Sequence, residues 1–249
     1  MDAIRPLQKQ LTMSNISEQT LASLVTKHHQ SAKVLEKYNL DFCCKGKRTL
    51  AEACNEKNVS LTDILYELQL YTAPANDLHL PFEQMSAEQL IGYILIHHHF
   101  YVKQSMPTIF GHLEKVANKH GDRFPYMPVV LQLFSTIQEE MTMHMQKEEM
   151  ILFPRIKEIE QLAKDKNTPP TIIGYLSGPI NVMLAEHEHA GELLYEIRRL
   201  TNNYTAPEDA CTTFKVSLEE LKAFEEDLHK HVHLENYILF PLAEKLIAE

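Results

Sequence analysis

The 249-residue chain has no tryptophan and only seven glycines. No Asn-Gly or Asp-Gly pair joins two apolar segments and alternating β-branched runs are few, which excludes a hairpin-rich β architecture. The four cysteines, Cys43, Cys44, Cys54 and Cys211, are too few and too unevenly spaced for a disulfide framework, and they suit a reducing compartment. No apolar run nears the ~20 residues needed to span a bilayer. The opening Met1-Asp2-Ala3-Ile4-Arg5-Pro6 lacks the basic-then-apolar pattern of a secretory signal, so the expected location is cytoplasmic. A basic cluster is also missing. With a net charge of −10, neither nucleic acid nor an anionic membrane surface is an expected partner.

What is present is histidine, 14 of them, and helical periodicity throughout. The expected fold is all-α. Leu21, Leu24, Val25, His28 and Leu35 share a face of one helix, and Leu50 to Leu68 supply two short ones, the second capped by Ser60 or Thr62. Residues 1–70 form a small N-terminal helical domain. Residues 71–85, polar and non-periodic with Pro74 and Pro81, form a linker. From Ser86 onward, segments at about 86–119, 127–162, 175–203 and 207–246 are long helices, broken at 121–128, 167–170 and 202–207. Short connections between them make 86–249 an up-down four-helix bundle, with a kink expected at Pro107.

Two of those helices carry the same phrase. His144-x-x-x-Glu148-x-x-Ile151-Leu152-Phe153-Pro154 returns as His231-x-x-x-Glu235-x-x-Ile238-Leu239-Phe240-Pro241, a step of 231 − 144 = 87 residues. His99 and His187 lie 144 − 99 = 45 and 231 − 187 = 44 residues upstream of the two motifs. Residues four apart share a helix face, so each His–Glu pair can point into the bundle. The bare motif carries little weight: a third copy, His79 with Glu83, straddles Pro81 and is discounted. A single histidine on an amphipathic helix is ordinarily a packing or surface residue. Six buried titratable groups in register are different, because buried charge must be paired or bound to metal. His99, His144, Glu148, His187, His231 and Glu235 thus make a dinuclear metal site, with the two glutamates bridging. Imidazole and carboxylate donors without thiolate suit iron ahead of manganese and disfavour structural zinc.

Glu140 and Glu186, next to the ligand positions, are candidates for a supporting or proton-relay role. His97, His98, His189, His229 and His233 point away from the metals and read as solvated or supporting groups. Asp41-Phe42-Cys43-Cys44-Lys45-Gly46-Lys47 lies between helices. Adjacent cysteines close only a strained ring. Lys45, Lys47, Arg48 and a following helix N-terminus are expected to lower the thiol pKa values and make Cys43 and Cys44 reactive. Cys54 and Cys211 read as packing residues.

Tyr38-Asn39-Leu40-Asp41-Phe42-Cys43-Cys44-x-Gly46 resembles the N-terminal signature of the repair-of-iron-centres family, of the YtfE/ScdA type, and the doubled His-x-x-x-Glu…Phe-Pro array resembles its hemerythrin-like domain. The resemblance runs from about residue 15 to the end. It implies two iron ions per chain in an oxo- or hydroxo-bridged centre on the six ligands, functional thiols at Cys43 and Cys44, and a homodimer. It also implies damaged iron–sulfur proteins as clients after nitric oxide or peroxide stress, with an iron-storage protein as a possible iron source. Donation of iron is the leading reading; nitric oxide reduction at the same centre and gas or redox sensing are the alternatives. The chain departs from the family in having Phe42 and Lys45, where many members have Tyr-Cys-Cys-Gly-Gly. It departs from oxygen-carrying hemerythrins in having Gly191 at the position of their fifth histidine.

Overall fold

The computed structural model describes residues 16–71, 80–164 and 176–248. Four short helices come first: α1 (Leu21–Lys27), α2 (Ser31–Lys37), α3 (Leu50–Lys57) and α4 (Leu61–Tyr71). The bundle follows with α5 (Ala87–Ile94), α6 (Phe100–His120), α7 (Tyr126–Lys147), α8 (Phe153–Lys164), α9 (Ser177–Leu200), α10 (Thr212–Leu234) and α11 (Phe240–Ala248). Among the described residues there is no strand; the one pairing of that kind is an isolated bridge between Thr20 and Thr49. No described helix is long and apolar enough to cross a membrane. His79 and the break at 167–170 lie outside the described residues.

The bundle has four rods: α5 with α6, α7 with α8, α9 alone, and α10 with α11. Inside three of them the helix widens for one π turn, at Leu95–His99, Glu148–Leu152 and Glu235–Leu239. The repeated Phe-Pro explains two of these. A proline inside a helix presses its ring on the carbonyl four residues back, and a wider preceding turn relieves that. Accordingly the N–H of Phe153 reaches back five residues to Glu148, and that of Phe240 to Glu235. The first π turn has no such proline. α6 runs on through Pro107, so the irregularity in this rod sits upstream of the position expected for it.

Local signals fix the ends. Ser86 and Gln89 form a capping box on α5, as Thr49 and Glu52 do on α3. The carboxylate of Glu160 accepts from the N–H groups of Ala87 (3.0 Å) and Glu88 (3.1 Å), which pins α8 to the start of α5. The single first helix expected over Leu21–Leu35 is instead two. The chain turns extended at His28, and the next residue, His29, bonds the carbonyl of Leu80 (3.1 Å) and packs edge-on to Phe82.

Two apolar clusters fill the interior. One joins Leu21, Leu35, Leu50 and Ile64 of the N-terminal helices to Leu113, Phe134, Leu194 and Phe224 of the bundle. The other gathers Leu90, Ile94, Phe153, Ile156, Ile180 and Phe240 at the opposite end of the rods. Full burial of each such side chain contributes about 1.5–3 kcal/mol. Along every rod the residues between the two clusters are the polar ones: His99, His144 with Glu148, His187, and His231 with Glu235. The site is a charged layer sealed between two greasy ones.

Candidate metal centre

Each rod contributes from its middle, and the π turns set the aim. His99 is the last residue of the first π turn; Glu148 and Glu235 open the other two. All six side chains are buried. The structure brings them together as two overlapping quartets: His99, Glu148, His231 and Glu235 in one, His144, Glu148, His187 and Glu235 in the other. The donor atoms of each quartet lie within 4.8 Å of one another. Both glutamates belong to both quartets.

The four Nε2 atoms converge. Those of His99 and His231 are 3.2 Å apart, and those of His144 and His187 are 3.0 Å apart. Glu148 Oε2 stands 3.4 Å from His99 and 3.3 Å from His144. Glu235 stands 3.2 Å from His187 and 3.0 Å from His231. Both oxygens of Glu148, and Oε2 of Glu235, are buried without a hydrogen-bond partner among the described residues. Sealed carboxylate oxygens with no donor, facing imidazole nitrogens, fit cations seated between them, because a buried charge otherwise stays uncompensated.

The electrostatics agree. Burial pushes the Glu235 carboxyl up, but His231 and His187 outweigh it and hold the group well below the usual carboxylate range. Glu148 is lowered as well: burial and Glu235 act upward, and His144 and His99 overcome them. Without metal, His144 is raised to about 9; burial opposes this and the Glu148 charge wins. His99 moves up for the same reasons, whereas burial dominates at His231 and lowers it.

The outward Nδ1 atoms are braced unequally. His99 bonds Glu149 (2.7 Å), which Lys103 also holds. His144 bonds Glu186 (2.8 Å), which pairs with Lys147. His187 bonds Asn236 Oδ1 (2.8 Å). Among the described residues His231 Nδ1 has no partner; its ring lies parallel to that of His98, 5.6 Å between centroids. Such partners orient an imidazole and raise its basicity toward a metal. Glu186 thus stands where a supporting group should. Glu140 does not: it is exposed, and among the described residues it pairs with His189, at 3.5 Å. Sequence reasoning missed Glu149 and Asn236, though both carry a shared signal, the residue immediately after the repeated glutamate.

Of the histidines expected to be solvated or supporting, His98 and His233 are buried and His229 is partly buried. His98 pairs with Asp227 (3.1 Å). His229 and His233 face the N-terminal helices: His229 bonds Glu36, and His233 bonds Thr26 (3.1 Å) and packs on Phe42. That face docks the cysteine loop. Asn236 Nδ2 donates to the Cys43 carbonyl (3.1 Å), the Tyr237 hydroxyl accepts from the Gly46 N–H (3.0 Å), and the Cys44 thiol reaches the His187 carbonyl (3.6 Å). A Cβ on Gly191 would lie 3.5 Å from Cys44 Sγ, so the thiol covers the place of the fifth histidine of oxygen carriers.

The expected lowering of the thiol pKa does not hold for Cys43. Its hydrogen bond with Cys44, its burial and the nearby Asp41 charge push it well above the ordinary thiol value. Two of the features expected to act on it, Arg48 and the following helix N-terminus, are engaged elsewhere. Arg48 is paired with Glu56 and bonds the Lys45 carbonyl, and the N-terminus of α3 is closed by its own capping box.

Comparison with known proteins matches this architecture along the chain. The profile of the hemerythrin HHE cation binding domain matches residues 90–243, and that of ScdA_N, a domain of unknown function, matches residues 17–71. The chain is 34% identical over 227 residues to the iron–sulfur cluster repair protein YtfE of Shigella boydii serotype 4, covering 91% of this chain and 96% of that protein. It has the same identity and coverage with the YtfE proteins of Escherichia coli O81 and Escherichia fergusonii. With a hemerythrin cation-binding bundle behind an ScdA-type N-terminal region, the chain belongs to the family of YtfE-type iron–sulfur cluster repair proteins.

Proposed function

We propose that this protein repairs iron–sulfur clusters damaged by nitrosative or oxidative stress by supplying iron from a di-iron centre in its bundle. The observation that carries this reading is the pair of buried quartets sharing two glutamates, three of whose four oxygens have no hydrogen-bond partner among the described residues. His99 and His231 would hold one iron, His144 and His187 the other, with Glu148 and Glu235 bridging. The all-nitrogen-and-oxygen donor set supports iron. When bound, the irons supply Lewis acidity and one-electron redox chemistry, and they are also the cargo.

The chain's own residues hold that cargo and set the terms of its release. Glu149, Glu186 and Asn236 keep three imidazoles turned with Nε2 inward. The two apolar clusters exclude water from either end. Glu149 and Glu186 are only half-buried, so His99 and His144 each connect through one carboxylate to the surface, a route by which protons can replace departing metal. On the same reading the clients are damaged iron–sulfur proteins in the cytoplasm, an iron-storage protein refills the site, and the assembly is a homodimer.

The test is anaerobic repair. Iron-loaded protein is mixed with a nitric-oxide-damaged [4Fe–4S] enzyme, and recovered enzyme activity is followed together with iron lost from this chain. Recovery above that given by free ferrous iron, absent with His144→Ala/His231→Ala, supports donation. Full retention of iron with no recovery rejects donation and favours nitric oxide reduction at the same centre.

A further inference from the structure

We infer that Asp41, Cys43 and Cys44 form a second cation site, a thiolate site for a divalent transition metal, at the floor of the cleft between the N-terminal helices and α9. Its ligand atoms are a carboxylate oxygen of Asp41 and the sulfurs of Cys43 and Cys44, all within 4.8 Å of one another. The spacing is the argument. Two sulfurs on one tetrahedral cation at about 2.3 Å each stand about 3.8 Å apart, and a sulfur and a carboxylate oxygen about 3.5 Å apart. Here the two sulfurs are 3.6 Å apart and Cys43 Sγ is 3.4 Å from Asp41 Oδ1. Two edges of the donor triangle thus match a coordination tetrahedron, and the third is within 4.8 Å.

They are also held there. Asp41 Oδ1 accepts from the backbone N–H groups of Cys43 (3.1 Å), Cys44 (2.9 Å) and Lys45 (3.3 Å), which curls the loop around the carboxylate. Asn236 fixes the Cys43 carbonyl and Tyr237 the Gly46 N–H, so the bundle anchors the loop at both ends of the pair. Cys43 and Cys44 are not disulfide-bonded. Two thiols and a carboxylate packed this closely crowd acidic groups. A divalent cation relieves the crowding: it takes the place of the two thiol protons, which leave to solvent, and bonds both sulfurs as thiolates.

The fourth corner opens on a cleft of about 920 Å³, whose far wall on α9 carries Glu188, Gly191 and Glu192. A client or an incoming ion can reach that corner, whereas the bundle quartets are sealed. On the reading that the bundle holds transferable iron, this site is the station between bundle and client; its existence does not depend on that role.

Cobalt(II) tests it in the full-length, metal-free, reduced protein, because a sulfur-to-cobalt charge-transfer band arises from the loop and not from the nitrogen-and-oxygen quartets. The expected result is that band with one cobalt equivalent beyond the bundle's complement. His144→Ala/His231→Ala should keep the band while losing bundle cobalt, so failure of the bundle reading is seen separately. Cys43→Ser/Cys44→Ser should lose the band and one equivalent, and Asp41→Asn should weaken it by about tenfold. No sulfur band in the wild-type protein at saturation, or a band that survives in the double serine variant, overturns the site. Should the double variant not fold, zinc protection of the wild-type thiols against alkylation decides: unslowed alkylation of Cys44 overturns the site as well.

Discussion

Asn236 stands between His187 and Cys43 and serves both: its Oδ1 accepts from His187 Nδ1 at 2.8 Å, and its Nδ2 donates to the Cys43 carbonyl at 3.1 Å. The donation to a carbonyl settles which end of the amide faces His187. That in turn puts a proton on Nδ1 and leaves Nε2 as the nitrogen available to a metal. One side chain therefore ties the cysteine loop to an imidazole of the metal centre.

Removing that tie should loosen metal at the His144–His187 side. Asn236→Ala is expected to weaken metal binding by about 10–100-fold, the usual cost of deleting an imidazole's outer partner. Asn236→Asp keeps an acceptor for His187 and should lose less. A competitive chelator titration of both variants measures the difference.

Stripping the metal should destabilise the fold. Glu148 and Glu235 are fully buried, and without a cation their oxygens rely on neighbouring imidazoles alone. Binding to the folded state adds stability by mass action, about 2.7 kcal/mol at a hundredfold excess over Kd. The melting temperature should fall on chelation and recover with added ferrous iron, and Glu148→Ala should abolish the recovery.

Acid should release metal. His144 in the metal-free protein is raised to about 9. Below that pH the site must lose a proton before it binds, so apparent affinity rises with pH up to about 9 and falls as pH drops. Proton release on metal addition, followed in weak buffer at pH 7, should be smaller in His144→Ala, where His99 alone of the two raised imidazoles remains.

The docked N-terminal helices should have their own pH signature. His229 is raised to about 9: burial opposes this, and Glu36 and Glu225 outweigh it. A folded value above the unfolded one near 6.5 gives stability that is fully present below about 6.5 and lost as pH climbs through about 9. In metal-loaded protein the melting temperature of wild type minus that of His229→Gln should shrink over that window. A constant difference would remove the pair from the docking account.

Gly46 should tolerate no side chain. A Cβ there would stand 2.1 Å from the Phe42 carbonyl oxygen and 2.9 Å from the Ala22 Cβ. Gly46→Ala is expected to cost about 1–3 kcal/mol by overcrowding, and to free the Tyr237 hydroxyl. Denaturant unfolding reads the cost.

The sequence carried the all-helical fold and the six converging side chains for one reason: both halves repeat His-x-x-x-Glu at matched steps, and the helix turns that spacing into a shared face. It could not carry the π turns fully. Phe-Pro marks two of them, but nothing local marks the one ending at His99. Glu186 was legible because it adjoins His187. Glu140 misled, since being one turn from His144 says nothing of which neighbour lies opposite, and that neighbour is the exposed His189. His229 and His233 were recognisable as facing away from the metals, while their partners Glu36, Thr26 and Phe42 lie about two hundred residues earlier and only tertiary packing reveals them. The expectation for the Cys43 pKa failed because burial and the contacts with Cys44 and Asp41 push the thiol up, while Arg48 is paired with Glu56.

The unpartnered Nδ1 of His231 breaks a symmetry that the repeat would otherwise impose. His144 and His187 are both clamped from outside, whereas on the other side only His99 is. Two ions with formally identical donors would therefore be inequivalent, one in a stiff seat and one in a compliant one. A method that resolves individual iron nuclei should see two environments, and the ion on the compliant side should be the first to leave.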